Sequence, residues 1–140
     1  MGKPAYAAEA VDLYKFFGGF AAVRGVGFRV GWGEVYGLIG PNGAGKTTTL
    51  RILATLLKPT RGKALIAGHD TQKQPQQARK NTAYLPEEAS PYERLTGYEN
   101  LLFYARLYAS SEEEARDMAR RGAEISGLGD RLHDQASGYS

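Results

Sequence analysis

The sequence predicts an α/β fold on three adjoining observations. Val35, Tyr36, Leu38 and Ile39 make an apolar run of strand character. Residues 40–47 then read Gly-Pro-Asn-Gly-Ala-Gly-Lys-Thr, and Leu50, Leu53, Ala54 and Leu57 follow at the spacing of a buried helix face, with Ile52 and Leu56 on a second face. A strand, a glycine-rich turn and a helix in immediate succession are the parts of a P-loop. Gly40, Gly43 and Gly45 let the backbone turn tightly enough for successive N–H groups to face an anion, which the positive end of the following helix also favours. Lys46 is expected to neutralise β- and γ-phosphate charge and so to act in catalysis. Thr47 offers a hydroxyl to Mg²⁺ and Thr48 adjoins the α-phosphate region, while Pro41, Asn42 and Ala44 complete the cradle.

The elements on either side are legible from turns and periodicity. Residues 8–13 and 20–30 read as strands joined by Gly18 and Gly19, and residues 31–33 turn the chain into the P-loop strand. Together they predict an antiparallel β-layer. The P-loop helix is expected to end near Lys58 and Pro59. A short strand follows at residues 63–67, then a polar helix at 74–80 and a core strand at 83–85 that Pro86 stops. Beyond residue 95 the pattern is helical, opening with Thr96 and Glu99 at capping-box spacing; Leu101, Tyr104, Ala105 and Tyr108 share one face. Ser111 and Glu114 predict a second capping box, on a helix running toward Ser126 and Gly127.

Composition narrows the function classes. The 140 residues fit one domain, 42% of them are hydrophobic, and no apolar stretch approaches the roughly 18 to 20 residues of a membrane-spanning helix. No signal-peptide core stands at the N-terminus, so the reading is cytoplasmic. The absence of cysteine excludes disulfides, thiolate metal sites and a cysteine nucleophile. A net charge of +3 with both signs interspersed reads as a solvated surface, and no nucleic acid partner is expected. Asp70 follows an apolar run as a Walker B acid would, but Gly68 and His69 intervene and make it a turn residue. His69 and His133 lack convergent partners at metal-ligand spacing, and Trp32 in its glycine-flanked turn is assigned packing alone.

The order of parts and several words of sequence resemble the ATP-binding cassette (ABC) ATPases over essentially the whole chain. Leu13-Tyr14-Lys15-Phe16-Phe17-Gly18 resembles the family's adenine-stacking aromatic loop, and Gly33-Glu34-Val35 its lead into the P-loop strand. Tyr84-Leu85-Pro86 is similar to the approach to its Q-loop. Leu95-Thr96 with Glu99-Asn100-Leu101 resembles the start of its helical subdomain. Gly68-His69-Asp70 and the P-loop helix look most like cassettes of drug, antibiotic and ABC-2-type exporters. The resemblance implies an ABC-type P-loop NTPase: an antiparallel β-layer, part of a RecA-like core and the start of a helical subdomain. The β-layer and core would occupy about residues 1–86, the Q-loop and helical subdomain about 87–140.

By the same resemblance Phe17 stacks on adenine, with Tyr14 and Phe16 as alternatives, and Val23 forms an apolar floor beneath base and ribose. A stacking contact needs only a π-face. Glu87 stands where the family more often has a glutamine that reaches Mg²⁺ and the attacking water. A carboxylate there can still ligate Mg²⁺ and take a catalytic part, though Glu87 and Glu88 also fit a solvated loop pair. The implied cofactors are ATP and Mg²⁺. The implied partners are a transmembrane permease subunit or domain and a second cassette ATPase subunit, at the cytoplasmic face of a membrane. The family's signature loop would begin at Tyr139 and Ser140; a shifted register would read Ala136, Ser137 and Gly138 as a degenerate form. On either register the chain is read as truncated and inactive by itself in ATP hydrolysis, although the full-length protein would be an ATPase. A binding module without hydrolysis and a non-transport cassette are the alternatives, and the sequence holds no Asn-Lys-x-Asp guanine motif.

Overall fold

The computed structural model describes residues 2–139 and divides the chain into two compact units, residues 1–84 and 85–140. In the first unit, β1 (Ala8–Phe17) and β2 (Phe20–Val30) form a hairpin whose register runs from Ala8 opposite Val30 to Phe17 opposite Phe20. β3 (Arg61–Ile66) pairs with the other edge of β1, and β4 (His69–Asp70) with β3, giving an antiparallel sheet of order β2-β1-β3-β4. Alternate residues of these strands face α1 (Lys46–Leu53). Leu13, Val23 and Ile52 are fully buried there, each stabilising the unit by about 1.5–3 kcal/mol relative to exposure. A short α2 (Pro75–Lys80) opens with proline in its first turn, where a missing N–H does no harm, and seals the core with Ala78.

β1 bends where it passes β3. Between Val11 and Tyr14 the register shifts, and Asp12 adopts φ 45°. The partner position must then be glycine: a Cβ on Gly62, itself at φ 76°, would stand 2.0 Å from the Asp12 carbonyl oxygen.

Two expected core strands are not strands here. Residues 35–39 and 83–85 enter no ladder among the described residues, and Val35, Ile39 and Leu85 are almost wholly exposed. Apolar character gives a segment a preference for pairing, but a strand exists only where a neighbour accepts its N–H and C=O groups. Tyr36 still docks on β2, its ring stacked on Phe28 at 5.0 Å. The P-loop helix is also shorter than its apolar spacing suggested. Thr55 turns left-handed at φ 65°, and the Arg51 carbonyl accepts from both Leu56 and Leu57 N–H, closing the helix before Lys58.

The second unit is an antiparallel pair, α3 (Gly97–Tyr108) and α4 (Glu112–Ser126). Small residues on α4 let the helices approach: Ala115 and Ala119 are buried beside Ala105, and a Cβ on Gly122 would meet Leu101 at 3.1 Å. The capping box of α3 is complete, with Thr96 Oγ1 accepting from Glu99 N–H and the Glu99 carboxylate accepting from Thr96 N–H. That of α4 is half formed, because Glu114 accepts from Ser110 N–H while Ser111 Oγ accepts from Glu114 N–H. Gly127 ends α4 in the left-handed conformation. Tyr104 and Tyr108 do not share the buried face; they are 44% and 79% exposed, since α4 packs on the stripe holding Leu101, Leu102 and Ala105. Tyr104 instead joins Tyr92 and Phe103 in an exposed aromatic cluster. Across the helix connection, Arg106 forms two hydrogen bonds to Glu112 and holds its carboxyl below the usual range. Both side chains are solvated, so the pair adds little stability.

Asn100 organises the loop before α3. Its Oδ1 accepts from Tyr92 N–H at 2.7 Å, and its Nδ2 donates to the Tyr92 and Thr96 carbonyls at 3.0 Å each. The loop so held receives the returning chain: Ala136 N–H donates to Leu95 O and Ser137 N–H to Glu93 O. Tyr139 closes over Gly97, its hydroxyl donating to Arg131 O at 2.6 Å.

Two stability predictions follow from these contacts. Gly62→Ala should lower the urea midpoint by an amount equivalent to at least about 1–3 kcal/mol from the left-handed backbone alone, whereas Gly19→Ala, whose Cβ meets nothing, should leave it unchanged. Equal midpoints for the two variants would refute the bulge constraint. Asn100→Ala should destabilise the second unit by about 1–3 kcal/mol, because Tyr92 and Thr96 lose their partners. Amide exchange at Leu95, Ala136 and Ser137 is the readout, and unchanged protection there would refute the loop assignment.

Candidate functional site

The glycine-rich segment and the hairpin come together in the first unit. Gly45, the N-cap of α1, lies at φ 88° against β2: a Cβ there would stand 2.3 Å from the Ala22 carbonyl oxygen and 3.3 Å from Val23 Cγ2. Only glycine permits both the left-handed backbone and this approach. Ala44 N–H donates to Pro41 O and Thr49 N–H to Gly45 O, so the loop closes on itself before the helix begins. The first-turn N–H groups are those of Lys46, Thr47 and Thr48, which a helix leaves without internal carbonyl partners. No carboxylate stands in the first turn of α1 to oppose an anion.

Lys46 folds back across its loop. Its ammonium donates to the Gly40 carbonyl and, at 2.9 Å, to the Pro41 carbonyl. Pro41, Asn42, Gly43, Ala44 and Thr47 are exposed; Gly40, Gly45, Lys46 and Thr48 are half-buried.

The hairpin separates the three aromatic candidates. Tyr14 and Phe16 share one face of β1, their rings parallel at 6.3 Å, with Arg61 lying over Tyr14. Lys15 and Phe17 share the other, and Lys15 is paired with Val23, whose side chain touches Gly45. Phe17 is thus the aromatic on the P-loop face, half exposed, and Phe20 stands opposite it. Val23 is only 2% exposed and packs beneath the loop in the core, so it props Gly45 rather than presenting a surface.

Glu87 belongs to the second unit, exposed in the turn that Ala89 N–H closes on Pro86 O. Among the described residues no three His, Cys, Asp or Glu side chains cluster as a metal cage. The exposed Thr47 hydroxyl in the first turn of α1 is the kind of single oxygen donor that fits Mg²⁺, which keeps its waters and takes one or two protein oxygens along with phosphate oxygens. Asp70, expected in a turn, is instead the last residue of β4, paired with Leu65, and its Oδ1 accepts from Gln72 and Lys73 N–H in the turn that follows. Trp32 donates to Pro4 O and carries Lys3 over its ring. Tyr139 is described, whereas Ser140, the second residue of the expected signature start, lies outside the described residues. Sequence reading missed Lys15 and Asn100 as organising residues. A lysine two places before an aromatic on a strand was a signal for the first; an amide next to the capping-box glutamate, at the head of an apolar helix, was a signal for the second.

Comparison with known proteins gives this geometry a family. The daunorubicin/doxorubicin resistance ATP-binding protein DrrA of Streptomyces peucetius is 44% identical over 128 residues, covering 91% of this chain and 39% of that protein. The probable multidrug ABC transporter ATP-binding protein YbhF of Escherichia coli is 41% identical over 120 residues, 86% of this chain and 21% of that one. The chain therefore spans well under half the length of these relatives. A solved ATP-binding subunit of an ABC transporter superposes with TM-score 0.74 at 34% identity, covering 96% of this chain and 56% of its own. The ABC transporter family pattern matches residues 23–140, from the strand under the P-loop to the end of the chain, and the chain belongs to that family.

Proposed function

We propose that this chain binds Mg·ATP as part of the nucleotide-binding subunit of an ABC transporter, which in the whole protein hydrolyses ATP to power export. The observation that carries the reading is the placement of the P-loop and Phe17 on one face of the hairpin, joined through the Gly45–Val23 contact. Adenine would stack on Phe17, and the triphosphate would lie along residues 40–48, receiving backbone N–H groups and the Lys46 ammonium. Mg²⁺ would be held by Thr47 Oγ1 and phosphate oxygens; Glu87 stands in the sequence where the family more often has glutamine and would serve, as that residue does, as a further oxygen donor. When bound, the ion would offset phosphate charge. Relatives named for drug resistance support an exporter, working with a membrane permease and a second cassette subunit at the cytoplasmic face. No helix of the described residues is long and apolar enough to cross a membrane, so on this reading the pore belongs to the permease.

Lys46→Ala should weaken ATP affinity at least tenfold, because it removes both the phosphate-facing charge and the two bonds that close the loop. Titration with a fluorescent ATP analogue checks it; an unchanged Kd would reject the P-loop assignment. A second outcome concerns turnover. Thr47 and Glu87 are the oxygen donors this reading supplies, and neither places a general base on a water held in line with the γ-phosphate. The 140-residue chain should therefore release phosphate no faster than background. Robust release that Lys46→Ala abolishes would show that residues 1–140 hold a catalytic base besides Thr47 and Glu87.

A further inference from the structure

Lys15 sits on the P-loop face of β1, and both of its contacts hold it in place. Its Nζ donates to the Lys58 carbonyl at 2.8 Å and lies 5.1 Å from the centroid of the Phe17 ring. Among the described residues it forms no ion pair, so its charge is directed at a carbonyl dipole and a π-face instead of a carboxylate. The residue pair is also local to one strand, since side chains two apart project to the same side. One face of Phe17 is thereby covered by a cation. An aromatic ring half exposed on a hairpin end would otherwise sample several rotamers and offer either face.

We infer that Lys15 is a positioning residue of the base subsite: held by the Lys58 carbonyl, its ammonium fixes the Phe17 ring and leaves one defined π-face for the nucleobase. This rests on the reading that adenine stacks on Phe17. The cation draws π-density toward itself, and it fixes the ring before the base arrives, so less conformational freedom is lost on binding. Lys15 acts through Phe17 and need not touch the nucleotide.

The test compares ATP with inorganic tripolyphosphate, which offers the same anionic chain without a base, by titration calorimetry on the full chain. Lys15→Met keeps the aliphatic stem and removes the charge; it should lower the ATP-to-tripolyphosphate affinity ratio about two- to fivefold. Lys15→Gln retains a donor for the Lys58 carbonyl without charge and should behave similarly, while Lys15→Arg should restore the ratio. In a Phe17→Ala background, Lys15→Met should change the ratio no further, a coupling that a general loss of stability would not produce. If Phe17→Ala leaves the ratio unchanged, the stacking reading falls and this inference with it. If Phe17→Ala lowers the ratio but both Lys15 variants leave it intact, only the role of Lys15 is overturned. Equal weakening of both ligands by Lys15→Met would also overturn it, showing an undirected charge effect.

Discussion

The close approach of Gly45 to the Ala22 carbonyl and the Val23 side chain is the constraint on which the first unit depends. It fixes where α1 begins, because the left-handed Gly45 supplies the N-cap. The same contact sets the helix onto the sheet, since Val23 and Ile52 are buried in one cluster and a Cβ at Gly45 would push β2 and the loop apart. The aromatic end of the hairpin shares that face. A loop held by its own flexible residues could take many shapes; one seated on a strand carbonyl at van der Waals limit has few. The rigidity of the glycine-rich segment therefore comes from the strand beneath it.

This explains which parts of the fold were legible in the sequence. β2, the Gly18-Gly19 turn, the glycine-rich turn into α1, α2 and the N-caps Thr96 and Ser111 depend on local chemistry, and each was readable from residues within a few positions of one another, whereas β1, expected to end at Leu13, continues to Phe17. Residues 35–39 and 83–85 failed for a non-local reason. Their apolar pattern is that of a buried strand, but pairing is a property of two segments, and residues 2–139 supply no partner for either. The end of α1 was misplaced because Thr55 takes a left-handed backbone that neither its β-branched side chain nor the apolar spacing announces.

The candidate site was legible to the same extent. Words of sequence named the P-loop and three aromatics, yet alternation along β1 could not be counted reliably across the shifts in register near Leu13 and Lys15. Cross-strand pairing resolves it, setting Tyr14 and Phe16 on one side and Lys15 and Phe17 on the other. Val23 illustrates the opposite limit. Its strand position suggested a floor beneath the base, but its burial shows a side chain used up in supporting Gly45. In the second unit, Asn100 was part of a recognisable word, though its task of holding a loop that the chain revisits at residues 134–139 depends on contacts nearly forty positions away.

Lys46 connects loop shape with charge. An ammonium has three donors, and the carbonyls of Gly40 and Pro41 take two of them. Those bonds bend the side chain back over the loop, so that the long aliphatic stem, which would otherwise lose much rotamer freedom on binding an anion, is already restrained. The third donor is the one geometrically free to leave the loop, and on the proposed reading it faces the β- and γ-phosphates. An arginine could not substitute: its planar fork is matched to two oxygens of a carboxylate or phosphate, not to the two carbonyls of a tight turn with a further proton directed elsewhere. The lysine at this position is thus both the closure of the loop and its charge, and neither role can be altered without the other.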